Sequence, residues 1–455
     1  MRALLPEGWR TSHPTGQDWK PDVTAALRAT RPPTANPWQT TFRSLQTRNY
    51  RLFAGGQLCS NTGSWVQRIA QDWLVLTLAG SATAVGITTA LQALPTLLFG
   101  LVGGLVADRY PKRQVLLCTQ TLMALLATVL ATLVLTGNVQ VWHVYAVAFA
   151  LGSVIAIDNP TRQAFVNEMV GPDQLRNAIG LNSSVFQLGA LIGPAISGVL
   201  INIVGIGWAF SINAISYLGP ITMLLLIRDT ELHHIPRVAA HRGQLRDGLR
   251  YVTQRPHVLW PIVLAGIFGL FTINLPVTLA AYTKTVFHSS AGGYGMLSSV
   301  LAVGSLAGAL FAARRANTRL RTTALVAAAL AGAYLVASAA PSEMVYAVLL
   351  VLVGALTLLL LTGANATVQL AAEDSIRGRV MGLYLLVFTG SGAIGGPLIG
   401  YLDEHAGPQT GMLLAGVVPA LATACIAIHL ANLGHLRLAV RSNRSRRPLL
   451  AVVHR

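Results

Sequence analysis

The sequence predicts an all-α membrane protein with twelve transmembrane helices in two six-helix halves. Three observations carry that prediction. The 455 residues are 53% hydrophobic and only 11% charged, less than half the roughly one-quarter charged content of a soluble domain, and mean hydropathy is +0.56. Apolar segments recur at near-regular spacing, each close to the roughly 20 residues that cross a bilayer. The cations fall almost entirely in alternate connections.

Taken in order, residues 1–47 hold Pro6, Pro14, Pro21, Pro32, Pro33 and Pro37 without an apolar core. They read as a disordered, basic cytosolic tail, not as a signal peptide. Spans are expected at 50–79, 83–107, 114–136, 141–167, 177–204 and 208–228, forming a first bundle over 48–228. A charged central loop, 229–257, separates it from a second bundle over 258–433, with spans at 258–283, 292–313, 322–340, 344–372, 379–403 and 409–433. Residues 434–455 form a second basic tail. Backbone facing lipid must satisfy its own hydrogen bonds, so each span is helical.

Of the 33 Lys and Arg, 30 lie in the two tails and the even-numbered connections. The opposite loops hold Lys284 alone, beside Glu343, Asp403 and Glu404, and only Arg68 and Arg162 lie within spans. By the positive-inside rule both termini are cytosolic and the chain is a multi-pass protein of the cytoplasmic membrane. The net charge of +17 therefore reports topology, not nucleic-acid binding. The basic tails can attract anionic lipid at about 1 kcal/mol per residue.

The halves repeat one another. Gly189, Gly193-Pro194 and Arg176 recur 203 positions later as Gly392, Gly396-Pro397 and Arg379, and Gly100 and Gly104 recur as Gly304 and Gly308. Parallel repeats of this kind place a substrate path between the halves.

Gly104-Leu-Val-Ala-Asp108-Arg109-Tyr-Pro-Lys112-Arg113 joins spans 2 and 3. Asp108 closes a helix at its negative dipole end, so it calls for a nearby cation or another helix's N-terminus, and span 11 starts on the same side. This loop resembles the signature of the major facilitator superfamily, although Pro111 stands where the pattern usually has glycine. The resemblance implies a latch, Gly104, Asp108, Arg109, Lys112 and Arg113, that closes in one conformation and breaks in the other. The second-half copy has Ala312 and Ala313 in place of the acid, followed by Arg314-Arg315. In span 5, Gly189, Gly193, Pro194 and Gly198 allow close helix packing and a bend, and resemble the superfamily's exporter motif.

Gly63-Ser-Trp65, Asp72-Trp-Leu74, Asp158-Asn-Pro-Thr-Arg162-Gln-Ala-Phe165, Gly248-Leu-Arg-Tyr-Val252 and Arg377-Gly-Arg-Val380 are similar to the branch of bacterial efflux proteins that contains the enterobactin exporter. Many relatives carry an arginine where this chain has Ala190. The resemblance covers roughly 45–430 and implies export of a small, moderately lipophilic molecule by alternating access, with protons moving inward. An importer or uniporter of the same fold, and a membrane scaffold or sensor that transports nothing, are the alternatives.

Candidate working residues are the few polar groups within spans. Gln57, Asn61, Ser64, Arg68 and Gln71 or Asp72 form one stripe at spacings of three and four, so they share a helix face directed at a central cavity. Arg68 and Asp72 are four apart, as are Asp158 and Arg162, and ionisable groups at membrane depth are functional or paired. Asp72 is a salt-bridge partner of Arg68, a proton carrier, or an extracellular-end residue. Asp158 and Arg162 lie nearer the inner end, in a structural network with Asp108 or at a separate gate. Asn274, Asn365 and Gln369 are hydrogen-bonding points of the second half, in the cavity or between helices. Trp65, Trp73 and Phe271 are candidate stacking surfaces.

Other signals are set aside. Gly390-Ser-Gly392-Ala-Ile-Gly395 matches a dinucleotide fingerprint but lies inside a span with no preceding strand. No P-loop, zinc-binding or disulfide pattern occurs, and Cys59, Cys118 and Cys425 all lie in apolar runs. The expectation is a monomeric, non-enzymatic transporter without cofactor or metal, whose partners are its substrate, protons and lipid.

Overall fold

The computed structural model describes residues 42–233, 244–313, 320–373, 376–433, 436–440 and 450–454. Residues 1–41 of the expected first tail, the middle of the central loop and Arg314-Arg315 lie outside them. Within 42–47 the chain already makes a short 3-10 turn, Arg43–Gln46. Ser44 is fully buried there, its amide donating to Asn177 Oδ1 at 3.0 Å and its hydroxyl to the Gln174 carbonyl at 3.2 Å. The tail is thus anchored a few residues earlier than the sequence suggests.

The first group of helices is α1 (Arg48–Ala79), α2 (Ala82–Arg109), α3 (Lys112–Leu135), α4 (Val141–Val170), α5 (Leu175–Ile203) and the broken pair α6 (Ile206–Ser216) and α7 (Leu218–Leu226). Gly80 ends α1 at φ 65°, a left-handed cap that a β-carbon would strain, and its amide closes on the Leu76 carbonyl at 3.1 Å. Ser81 then caps α2, accepting from the Ala84 amide, so two residues suffice to reverse the chain.

The central segment contains a helix that the sequence reading assigns to loop, α8 (Gln244–Thr253). Val252 is buried with Val258, Ile262, Val380 and Tyr384, which docks α8 on the second group. Tyr251 lies under the Arg255 guanidinium, 4.2 Å from ring centroid to Cζ, and Arg255 pairs with Glu373 at 2.7 Å. The second group follows as α9 (Pro256–Thr272), α10 (Leu275–Ala281) continued by a π turn (Tyr282–Val286), α11 (Ala291–Ala313), α12 (Leu320–Ser338), α13 (Glu343–Ala371), α14 (Arg377–His405) and α15 (Pro408–Leu433). Beyond it, β1 (Leu436–Val440) pairs antiparallel with β2 (Leu450–His454), in part of the segment expected as a tail.

Among the described residues, ten helices or helix pairs are long and apolar enough to cross a membrane. The stretch within α12, Thr322–Ser338, is shorter, and α1 is kept from that set by its stripe of Gln, Asn, Arg and Asp. Large apolar side chains such as Ile203, Met344, Leu370 and Ile394 are 70–75% exposed, as lipid-facing residues are.

The repeat is visible in the packing. In α5, Gly189 and Gly193 back onto Asn61 and Trp65 of α1, and Gly198 meets Gly292 of α11. In α14, Gly392 and Gly395 back onto Ile273 and Asn274 at the α9/α10 break, and Gly400 meets Ala82 and Thr83 of α2. The glycines of α2 and α11 are less alike. Gly304 and Gly308 press on the Val351 and Ala355 carbonyls of α13, whereas Gly100 and Gly104 have nothing within 4 Å of a would-be β-carbon.

Candidate functional site

The two groups touch at one end and part at the other. Gly86, Gly100 and Gly104 share one face of α2, and Gly396, Gly382 and Gly378 share one face of α14, because 14 residues are nearly four helical turns and 18 are five. Gly86 and Gly396 meet backbone to backbone, while Gly104, Gly382 and Gly378 meet nothing. The same end is closed between α5 and α11, where Gly295 lies against the Pro194 carbonyl and Gly198.

Polar bonds reinforce this seal. Glu404, in the last turn of α14, accepts from the Ser81 hydroxyl (2.5 Å), the Thr83 hydroxyl (2.5 Å) and the Thr83 amide (3.1 Å) at the start of α2. A carboxylate there meets the positive end of the α2 dipole. Lys284 Nζ donates to the Leu76 carbonyl at 2.8 Å. Tyr294 of α11 donates its hydroxyl to Asp72 at 3.0 Å and stacks on Trp73, with ring centroids 6.1 Å apart.

Below the seal lies a cavity of about 740 Å³. Its wall comes mainly from the first group, with Ala309, Leu358 and Thr362 supplied by the second. The α1 stripe faces it as the spacing predicts: Asn61, Ser64, Arg68 and Gln71 all line it, together with Trp65. The rest of the polar lining is mostly amide, including Gln92, Asn159, Gln163, Asn182 and Asn213. Arg68 and Arg162 are the lining cations, and no carboxylate lines the cavity among the described residues.

Arg68 and Asp72 do not form the ion pair that their spacing suggests. Asp72 is 2% exposed and turned toward Tyr294, and Arg68 is turned to the cavity, its Cζ 5.5 Å from the Trp65 ring centroid. Asp158 and Arg162 do pair. Fully buried Asp158 also accepts from Thr119 Oγ1 (2.7 Å) and Gln120 Nε2 (2.9 Å), and Arg162 donates to Gln57 at 2.7 Å. This network lies within the first group and excludes Asp108, which is exposed and unpaired among the described residues.

The other latch residues are dispersed. Arg109 is exposed, Lys112 pairs with Glu168 of α4 at 2.7 Å, and Arg113 pairs with Asp229 at 2.8 Å while donating to the Leu224 and Leu225 carbonyls. In the second group, Asn274 donates to the carbonyls of Leu270 (2.7 Å) and Gly392 (3.0 Å). It joins α9 to α14 where the helix breaks, and does not reach the cavity. Gln369 donates to Asn365 at 2.6 Å, also outside the lining. Trp73 and Phe271 are buried, leaving half-buried Trp65 as the ring of the three that lines the cavity. The sequence reading missed Glu404, Tyr294 and Lys284 as seal residues. An acid pair in the last turn of a span, beside a two-residue hairpin, was the available signal for Glu404.

With this geometry in place, the relatives decide the family. The family model described as transmembrane secretion effector matches residues 39–454. The chain belongs to that family. These secretion effectors are membrane transporters of the major facilitator type, not enzymes. The chain is 27% identical over 412 residues to the multidrug efflux pump Tap of Mycobacterium tuberculosis, covering 86% of this chain and 95% of the pump. It is 25% identical over 351 residues to the enterobactin exporter EntS of Citrobacter koseri, covering 76% and 80%. The staphyloferrin A transporter of Staphylococcus aureus is 24% identical over 249 residues, 54% of this chain and 62% of that protein. Among solved structures, a POT family transporter in complex with 5-aminolevulinic acid superposes with a TM-score of 0.69 at 12% identity, over 84% of this chain and 96% of that one. A bacterial homologue of the human lysosomal transporter Spinster gives 0.65 at 15% identity, over 84% and 96%. These likenesses establish the fold of this secretion effector.

Proposed function

We propose that the protein is a twelve-span exporter of small molecules in the cytoplasmic membrane, working by alternating access with inward proton flow. The observation that carries the reading is the one-ended contact between α2 and α14, closed at Gly86–Gly396 and open at Gly104–Gly382. A cavity reached from one side only is what a transporter in one of two alternating states presents. The two spans beyond the ten apolar ones are α1 and α12. The open end carries the basic connections, so both termini face the cytosol by the positive-inside rule and the seal faces outward.

In this reading 48–228 and 258–433 are the two rocking bundles, and 229–257 links them on the cytosolic side. Asp108 and Gly104 meet the start of α14 when the inner end closes, and Lys112 and Arg113 hold the loop to its own bundle meanwhile. The hinge glycines Gly189, Gly193 and Gly198, with Pro194, let α5 slide on α1 and α11. Asp72 carries the proton: it sits in the seal, so opening outward exposes it to the external medium. The basic ends rest on anionic lipid, and the protein acts as a monomer.

Everted vesicles loaded by an imposed pH gradient test this. Ethidium and salicylate are the transport probes, and accumulation that collapses with nigericin is expected. Asp72→Asn is expected to abolish gradient-driven accumulation while leaving downhill exchange. Accumulation in intact expressing cells would overturn the direction, and flux indifferent to the gradient would overturn the antiport.

A further inference from the structure

The cavity wall holds donors with no acceptor to receive them. Arg68 faces the cavity without a hydrogen bond or ion pair among the described residues. The nearest acid along the helix, Asp72, is engaged by Tyr294 across the seal. One turn from Arg68, at i+3, Gln71 is 1% exposed and also lines the cavity, and its Nε2 has no hydrogen-bond partner. A buried amide donor left unpaired is costly; this one lies just beneath the cavity surface beside Arg68, and a turn of the Gln71 side chain brings it to a ligand's acceptor.

The surroundings fix the kind of ligand. No carboxylate lines the cavity among the described residues, and the other lining cation, Arg162, is already neutralised by Asp158. Trp65 lies between Arg68 and Phe186, meeting Phe186 edge to face at 5.7 Å, and both rings line the wall. A guanidinium and an amide N–H on one helix face present a forked set of donors suited to a planar oxyanion. The rings beside them suit a flat apolar body.

We infer that Arg68 and Gln71 form a carboxylate subsite, and that the transported molecule is an organic anion carrying an aromatic or similarly flat apolar group, set on Trp65. This rests on the export reading above and narrows its substrate class. The remaining amides of the wall, each able to donate and accept, suit a ligand with further hydroxyl or carbonyl groups.

Purified full-length protein in detergent, binding radiolabelled salicylate, tests the subsite, with salicylamide and benzylamine as neutral and cationic competitors. Wild type is expected to bind salicylate saturably, with both competitors about tenfold weaker or worse than unlabelled salicylate. Arg68→Gln lowers affinity by about tenfold or more, Arg68→Lys retains part of it, and Gln71→Leu lowers it several-fold. Each variant is checked for a monodisperse elution profile and an unchanged unfolding temperature. Unaltered salicylate binding by folded Arg68→Gln, stronger competition by benzylamine, or no saturable binding by wild type would overturn the subsite. Ethidium transport in everted vesicles separates the two readings. Transport without salicylate binding leaves export standing and removes the anion subsite. Arg68-dependent binding with no probe transported removes export and leaves the subsite.

Discussion

Replacing Gly86 by alanine should push the protein toward the outward-open state. A β-carbon at Gly86 falls on the Gly396 carbonyl oxygen, and one at Gly396 meets the Gly86 carbonyl in return. Both obstacles are backbone, so no side chain can rotate away. Overpacking at such a contact costs about 1–3 kcal/mol, and about 2 kcal/mol shifts a two-state equilibrium roughly 30-fold. An outward-open state populated at about 1% would rise to about a quarter. Double electron–electron resonance reads this directly. Labels at Asn138 and Gln409 report the sealed end and labels at Tyr110 and Leu370 the open end, in a background with Cys59, Cys118 and Cys425 changed to serine because all three are exposed. The first distance should lengthen and the second shorten. Gly104→Leu supplies the opposite perturbation: it meets nothing in this state and should obstruct only the other, so the outward-open population falls. If Gly86→Ala lowers the unfolding temperature but moves neither distance distribution, the glycine contact is packing alone and the rocking argument fails.

Four further outcomes follow. Arg162→Ala leaves fully buried Asp158 without its counter-ion and should cost about 3–5 kcal/mol, read as a fall in unfolding temperature; Gln57→Ala should cost far less. Glu404→Gln keeps one acceptor but loses the charge at the α2 N-terminus, worth about 1 kcal/mol, and should lengthen the Asn138–Gln409 distance in part of the population. Asp108→Ala should slow turnover several-fold with salicylate affinity nearly unchanged, since Asp108 is remote from the cavity lining; an equal loss of binding would remove the latch. Tyr294→Phe frees Asp72 to compete for Arg68, so salicylate binding should weaken several-fold and recover in the Tyr294→Phe, Asp72→Asn double variant, a coupling that a double-mutant cycle measures.

The contrast between Arg68 and Asp158 explains what was legible in the sequence. A polar residue in a lipid-spanning helix is so costly that its presence alone assigned the α1 face to the cavity, and the repeated glycine-proline elements marked α5 and α14 as close-packing helices without naming their partners. Spacing of four residues says only that two side chains share a face; it does not say what faces them. Within α4, Asp158 and Arg162 look onto Thr119, Gln120 and Gln57 of their own group, neutral groups that complete the pair. At Asp72 the hydrogen-bonded neighbour is Tyr294, 222 positions away and on the other side of the seal. The same limit hid the role of Asn274, whose partner, the Gly392 carbonyl, lies 118 positions away on α14. Contacts made between halves depend on which end is closed, so a linear pattern shared by both states cannot encode them. For α1 this has a consequence: one turn of helix presents Asp72 to the seal and Arg68 to the cavity. On the antiport reading, breaking the seal is expected to open Asp72 to the outer medium, where its carboxylate takes up a proton, while Arg68 stays on the cavity wall.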